Sequence, residues 1–309
     1  MDASEFVKRI NSSIEKNQID PELLRDENRF LRSKYIFKTI NSFSKIIELL
    51  DYKNDIIFED NIPFVQFENV KLMVCDPYFL KSTNKKIDSH FKTTYQFLSK
   101  LNIKPNFIVD LGACWGACSI YLASKFKNAK IYSIEGSEKN FEIFKKNIIY
   151  NSNLNSEIHP LNLIISDKDG FHNITDNLST MNMLETIHNK KIPKSEFKKV
   201  KAISLSTLVK TYKIPKIDFL KIDIEGSELN LIEDLLLIDI EAMQLELINY
   251  NSIKDNIEFL SQLNKKFKFY DPITSKKIQF NELKSKVINN FKNNPTIDLF
   301  LHNLTKNEI

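Results

Sequence analysis

Glycine is scarce in this chain. Only five occur in 309 residues, at 112, 116, 136, 170 and 226, with none in the first hundred residues or the last eighty. Glycine is needed where φ must be positive or where a ligand approaches the backbone, so its confinement to one neighbourhood points to a ligand site there. Cysteine is equally sparse: Cys75, Cys114 and Cys118 form an odd set with no second His/Cys pair, which excludes a zinc-type ligand pattern and favours a reducing compartment. No run approaches eighteen apolar residues, and the first six residues, Met-Asp-Ala-Ser-Glu-Phe, hold no apolar signal core; a cytoplasmic protein with no transmembrane segment is expected. The net charge of +4 is spread along the chain rather than clustered, so a nucleic-acid partner is not expected. The densest basic run, Lys190 to Lys201, reads as a solvated connector.

An apolar content of 42% and a charged content of 27% suit a globular chain with a sizeable core. From Glu5 to Leu50 the pattern is helical, with Ile36, Ile40, Phe43, Ile47 and Leu50 forming a stripe. That stripe is a packing face, with a homo-oligomer contact as the alternative. Short β-like runs follow at Ile56–Phe58, Phe64–Phe67 and Leu72–Val74, as in a small antiparallel meander. Helical spacing returns from Ile87 to Leu101, and Pro105 stops it. A soft boundary near residue 100 then separates an N-terminal helical and small β appendage, 1–100, from a main domain, 101–309.

In the main domain strands and helices alternate, which predicts an α/β fold with a parallel sheet. Strands are expected at 107–111, 131–135, 158–165, 217–222 and 242–247. Helices are expected at 117–126, around Phe141, Phe144 and Ile148 with Ser137 as N-cap, over Leu229–Leu237, and from Ile253 to Leu263. Shorter strands follow near Phe267–Tyr270 and Ile278–Phe280, then a helix and a last strand at Thr296–Leu301. The polar stretch Asp167–Lys199 interrupts the alternation and reads as an irregular cover over a site.

Ligands of such sheets bind outside the carboxyl ends of the strands, and the acids and glycines fall there. Asp110, Gly112 and Gly116 end the first strand, and Glu135 ends the second, 25 residues on. A carboxylate at that position can accept from both hydroxyls of a ribose. The turn is G-x-x-x-G rather than G-x-G-x-x-G, so a pyrophosphate cradle is missing. Asp110 before it suits a cationic ligand. The fourth strand supplies Asp223 and Glu225, which point the same way if strand conformation continues that far, and then Gly226 and Glu228. Glu228 is read equally as a helix cap or a site residue. Trp115 sits in the glycine turn, either stacking on ligand or packing beneath the helix.

The segments VDLGACWG, YSIEGSEKNFEIFKKNIIYN, NLIISDKDG and, above all, DFLKIDIEGSELNLIEDL resemble those of the FkbM-type class I S-adenosylmethionine-dependent methyltransferases over roughly residues 85 to 250. Cys114 stands where the family usually has asparagine, and Gly136 where it has proline. The resemblance implies a Rossmann-like fold with a mostly parallel sheet and a reversed last strand. It places Asp110, Gly112 and Gly116 around the methionine part of the cofactor, Glu135 on the ribose, and Leu163, Ile164 and Asp167 near the adenine. It also puts Asp223 and Glu225 at the methyl-transfer pocket, as base or as acceptor-fixing groups. A cation held by Asp223, Glu225 and Glu228 is the alternative. His172, His188 and Glu246 are candidate substrate contacts.

The expected activity is therefore O-methylation of a hydroxyl, with the sugar or surface-glycan acceptor implied by the resemblance. A non-catalytic methyltransferase-like assembly module and a nicotinamide-dependent oxidoreductase are the competing readings.

Overall fold

The computed structural model describes residues 56–59, 62–73, 88–176, 182, 184–185, 197–271 and 273–304. The N-terminal helical stripe, Cys75 and His188 lie outside the described residues. The short runs after it form an antiparallel meander, β1 (Ile56–Glu59), β2 (Ile62–Phe67) and β3 (Val70–Met73). Helix α1 (Asp88–Lys100) follows, then β4 (Phe107–Leu111), α2 (Ala117–Lys125), β5 (Lys130–Ile134), α3 (Glu138–Tyr150) and β6 (Glu157–Leu161).

β7 (Ile164–Ile165), β8 (Gly170–Thr175) and β9 (Phe197–Ile203) form a separate small sheet, ordered β7-β9-β8. The chain continues through α4 (Leu205–Thr211), β10 (Ile217–Ile222), a 3₁₀ turn (Glu228–Leu231), α5 (Ile232–Leu237), β11 (Ile240–Ile248) and α6 (Ile253–Leu263). It closes with β12 (Phe267–Tyr270), β13 (Lys277–Ile278), α7 (Phe280–Asn290) and β14 (Thr296–Asn303).

The main sheet has the order β13-β12-β14-β11-β10-β4-β5-β6. β4, β5, β6, β10 and β11 run parallel, and β14 inserts antiparallel between β11 and β12. The chain therefore leaves the sheet at β6 and re-enters beside β4, which makes the gap between β4 and β10 the switch point. The short edge strand β13 is also reversed, since it pairs antiparallel with β12; the order of the other seven strands, with β14 reversed, is the Rossmann-like arrangement expected from the sequence.

Local chemistry explains the elements. β10 is buried at every position, as a central parallel strand must be. Ser137 caps α3 by accepting from Asn140 N, and Ser204 and Ser252 cap α4 and α6 the same way. The meander is fastened by asparagines: Met73 N donates to Asn147 Oδ1 (2.8 Å), Lys71 N donates to Asn151 Oδ1 (3.0 Å), and Asn151 Nδ2 donates back to Lys71 O (2.7 Å). These amides satisfy the edge of β3, which would otherwise expose unpaired backbone groups. Phe97 of α1 stacks on Phe300 of β14 at 4.5 Å, and one apolar cluster runs from the meander and α1 into α2, α3 and the sheet.

Several expectations need correction. The single strand expected at 158–165 is two, in different sheets. Pro160 has no N–H to donate, and Asn162 turns its amide back to the carbonyls of Glu135 and Gly136, which breaks the run. The stretch 167–199 is not irregular throughout, because β8 and the first three residues of β9 lie in it and pair antiparallel. Leu229–Leu237 opens as a 3₁₀ turn before it becomes α-helical. Phe280 starts α7 rather than ending a strand.

Candidate active site

A cavity of about 670 Å³ opens at the carboxyl edge of the parallel strands. Its wall takes Gly112, Cys114 and Trp115 from the turn after β4, Glu135 from the end of β5, and Leu163 and Ile164 beyond β6. Asp223, Glu225 and Ser227 after β10, Glu246 on β11 and Asp298 on β14 complete it.

The first turn is built around close approach. Gly112 has φ +80°, and a Cβ there would lie 1.7 Å from the carbonyl oxygen of Asp223. Asp223 N also donates to Leu111 O at 3.1 Å, so the chains leaving β4 and β10 are laced together. Gly116 begins α2 at φ +82°, and its missing Cβ would meet the Phe144 ring at 2.0 Å. It faces α3 rather than the cavity. Asp110 is likewise behind the wall: fully buried, it accepts from Ser119 Oγ (2.6 Å) and lies 3.8 Å from Lys221 Nζ. Burial outweighs both partners and raises its pKa.

Glu135 lines the cavity while its carboxylate is fastened from behind. Oε1 accepts from Ser137 N and Oε2 from Cys114 N, both at 2.8 Å. The Asn140 side chain is a third donor to the carboxylate, and with two lone pairs on each oxygen an acceptor site still remains. Burial raises its pKa to about 7 against these hydrogen bonds. Cys114 adopts φ +51°, the left-handed region in which asparagine is favoured. Its backbone N–H makes the contact with Glu135, which a cysteine supplies as well as an asparagine. Trp115 is buried and donates Nε1–H to Asn140 Oδ1 at 2.9 Å.

β10 ends at Ile222, and Glu225 (φ +54°) and Gly226 (φ +98°) turn the chain. The expected strand continuation through Glu225 is therefore absent, although Asp223 and Glu225 both line the cavity. Asp223 Oδ2 accepts from Lys221 Nζ at 2.8 Å. Lys221 is itself buried, and the Asp223 and Asp110 carboxylates raise its pKa despite that burial. Glu228 turns away from the cavity: Oε1 accepts from Gly226 N (2.9 Å) and Ile224 N (3.3 Å), clasping the turn. Burial pushes its pKa up to about 7. With Glu228 so directed, the three acids do not converge on a cation, and among the described residues no three His, Cys, Asp or Glu side chains gather as a metal site.

Glu246 faces Asp298 across the β11–β14 register. Its pKa is raised to about 10, first by burial and then by the Asp223 and Asp298 carboxylates, and it hydrogen-bonds Asp223. The structure does not bring Asp167 or His172 to the cavity. Asp167 is exposed beside Ser166 Oγ (3.0 Å), and His172 Nε2 lies 3.1 Å from the same hydroxyl. Sequence reasoning missed Lys221 and Asp298. The available signal was a charge flanked on both sides by apolar residues within each strand, Phe219-Leu220-Lys221-Ile222 and Ile297-Asp298-Leu299.

The family described as the Methyltransferase FkbM domain matches residues 110–299. No curated protein matches the chain significantly. Among solved structures the chain is similar to an rRNA methylase from Streptococcus thermophilus, at 13% identity and TM-score 0.40, over 70% of this chain and 97% of that one. It is similar to the plantazolicin methyltransferase BamL in complex with a triazolic desmethylPZN analog and SAH, at 12% identity and TM-score 0.41, over 74% and 90%. It is also similar to a dimethyladenosine transferase from Plasmodium falciparum, at 10% identity and TM-score 0.36, over 69% and 60%.

Proposed function

Since the chain belongs to the FkbM family of methyltransferases and takes S-adenosylmethionine as its cofactor, we propose that it methylates a hydroxyl of a sugar or surface-glycan precursor. The observation that carries this reading is that Glu135 and the acids Asp223 and Glu225 line one cavity. About 670 Å³ lies within the range of small-molecule sites. The residues fit the cofactor: Glu135 keeps an acceptor site for a ribose hydroxyl, Leu163 and Ile164 supply an apolar wall for the adenine, and Gly112 lines the cavity beside the methionine part. When bound, the cofactor's sulfonium would supply an activated methyl group for the acceptor oxygen.

The chain's own task is to hold the acceptor in line, exclude water and take the hydroxyl proton. Asp223, fixed by Lys221, takes that proton, and Glu225 orients the acceptor from the same wall. A non-catalytic module would have no use for a ribose-type acceptor and a carboxylate-lined pocket in the same cavity. The oxidoreductase reading falls to the family match. No helix among the described residues is long and apolar enough to cross a membrane; we place the protein in the cytoplasm, acting on a small-molecule or glycan-precursor acceptor rather than on nucleic acid.

The test is transfer of labelled methyl from S-adenosylmethionine to a panel of neutral glycan precursors. Asp223→Asn and Glu225→Gln should still bind the demethylated product. Transfer should fall in at least one, by the ~10²–10⁴-fold typical of a lost proton acceptor. Full transfer in both variants would remove these acids from the chemistry.

A further inference from the structure

Along the acceptor end of the cavity, charged side chains form a row across four adjacent strands: Asp110 on β4, behind the wall, then Lys221 near the end of β10 with Asp223 just beyond it, Glu246 on β11 and Asp298 on β14, which line it. Lys221 is the only cation among the described residues lining the cavity, and it is already committed, 2.8 Å from Asp223 and 3.8 Å from Asp110. Asp223 and Glu246 follow the paired residues Ile222 and Leu245 of the β10–β11 register, line the same cavity and are in hydrogen-bond contact. Two carboxylates so placed are acceptors only, and a single proton between them turns the contact into a hydrogen bond.

Their surroundings decide which of them holds it. Asp223 has the Lys221 ammonium on its Oδ2, which favours its charge. Glu246 feels that lysine less than it feels the Asp223 and Asp298 carboxylates, and it faces Asp298 across the strand register. Glu225 adds a further acid to the same cavity. We propose that Asp223 and Glu246 share a single proton, carried by Glu246 as a neutral acid that donates to the Asp223 carboxylate, so that Asp223 is the base and Glu246 positions it.

This rests on the methyl-transfer reading for its consequences, though not for its existence. During transfer the acceptor's O–H proton passes to Asp223, while Glu246 keeps its own proton and its carbonyl oxygen stays free to accept from a neighbouring hydroxyl. The pair therefore suits an acceptor with two adjacent hydroxyls. A phosphate or carboxylate beside the reacting oxygen would face Asp223, Glu225 and Asp298 with no unengaged cation in the wall. The reacting end of the substrate is an uncharged polyol, with any anionic group held farther off.

The test uses the full chain labelled with ¹³C at the glutamate carboxyl carbons. Comparison with Glu246→Gln assigns the Glu246 resonance. It should lie at the protonated position at pH 7 and move only in alkaline solution, where the group's pKa of about 10 places its ionisation. An ionised resonance at pH 7, or titration alongside the exposed glutamates, overturns the proposal. If Glu246→Gln does not fold, Asp223→Asn supplies the assignment: with the Asp223 charge gone, one glutamate resonance should ionise at lower pH than in the wild type, and no such shift also overturns it.

With a neutral glycan acceptor, Glu246→Ala should lower kcat roughly 100-fold and Glu246→Gln, whose amide still donates, roughly 10-fold or less, within the span of acid–base effects. Equal losses would refute the positioning role. A protonated Glu246 with no turnover of any acceptor would count against methyl transfer and leave the shared proton standing.

Discussion

The ionisation of Glu135 makes cofactor binding depend on pH in a calculable way. In the proposed complex a ribose hydroxyl donates to its carboxylate, so the ligand prefers the ionised form. Its pKa is raised to about 7, because burial outweighs the Ser137 and Cys114 N–H groups and the Asn140 amide. If only the ionised form binds, the apparent Kd scales as 1 + 10^(pKa − pH), and affinity for S-adenosylhomocysteine should rise roughly tenfold from pH 6 to pH 8. The sign is opposite to that of an ordinary cationic site, which weakens on deprotonation. At pH 7 binding should release about half a proton per site, measurable by calorimetry in buffers of different ionisation enthalpy.

Glu135→Gln is the control. Its amide offers one oxygen and turns its NH₂ toward a backbone N–H, so affinity should fall by at least the value of one charge-assisted bond, about 1.5–3 kcal/mol or roughly 10- to 150-fold. What remains should be flat from pH 6 to pH 8. Asp110 is also raised by burial, and a slope that survives in Glu135→Gln would transfer the effect to it. A flat wild-type profile would refute the ribose assignment.

Other perturbations follow from the same geometry. Glu228 has its folded pKa raised to about 7 from an ordinary 4.5, so the folded state keeps a proton that the unfolded chain has lost. Its contribution is full below pH 4.5 and lost as pH rises through 7, on the order of 3 kcal/mol. The ligand-free protein should melt lower at pH 8 than at pH 5, and Glu228→Gln should blunt that difference. Gly112→Ala meets the Asp223 backbone oxygen at 1.7 Å and Gly116→Ala meets the Phe144 ring at 2.0 Å. Both should lower the melting temperature, but Phe144→Leu should partly rescue only the second. Methyl transfer should be indifferent to EDTA, since Glu228 is turned onto the backbone of Ile224 and Gly226; loss on chelation with recovery on Mg²⁺ would restore the cation reading.

The parts legible in the sequence are those with a local cause. β4, β10, β12 and α6 match their expected bounds to the residue. Their apolar runs, or their 3.6-residue period, are closed off by caps and turns close at hand. β8 and β9 were illegible because lysines 198, 199 and 201 charge three of the seven positions of β9 and break its alternation. Such a strand has no apolar period to detect, and it forms because β7 and β8 lie on either side of it.

The acids after β10 mark the same limit inside the site. In sequence, Asp223, Glu225 and Glu228 look like interchangeable carboxylates around one glycine. Partners elsewhere separate them: a lysine two residues back and a glutamate from the next strand for Asp223, a left-handed corner for Glu225, and two backbone N–H groups for Glu228. Glu246 and Asp298 are 52 residues apart in the chain and directly opposed in the sheet. A side chain's proton depends on such neighbours. Spacing along the chain can nominate an acid, but only strand register assigns it a charge.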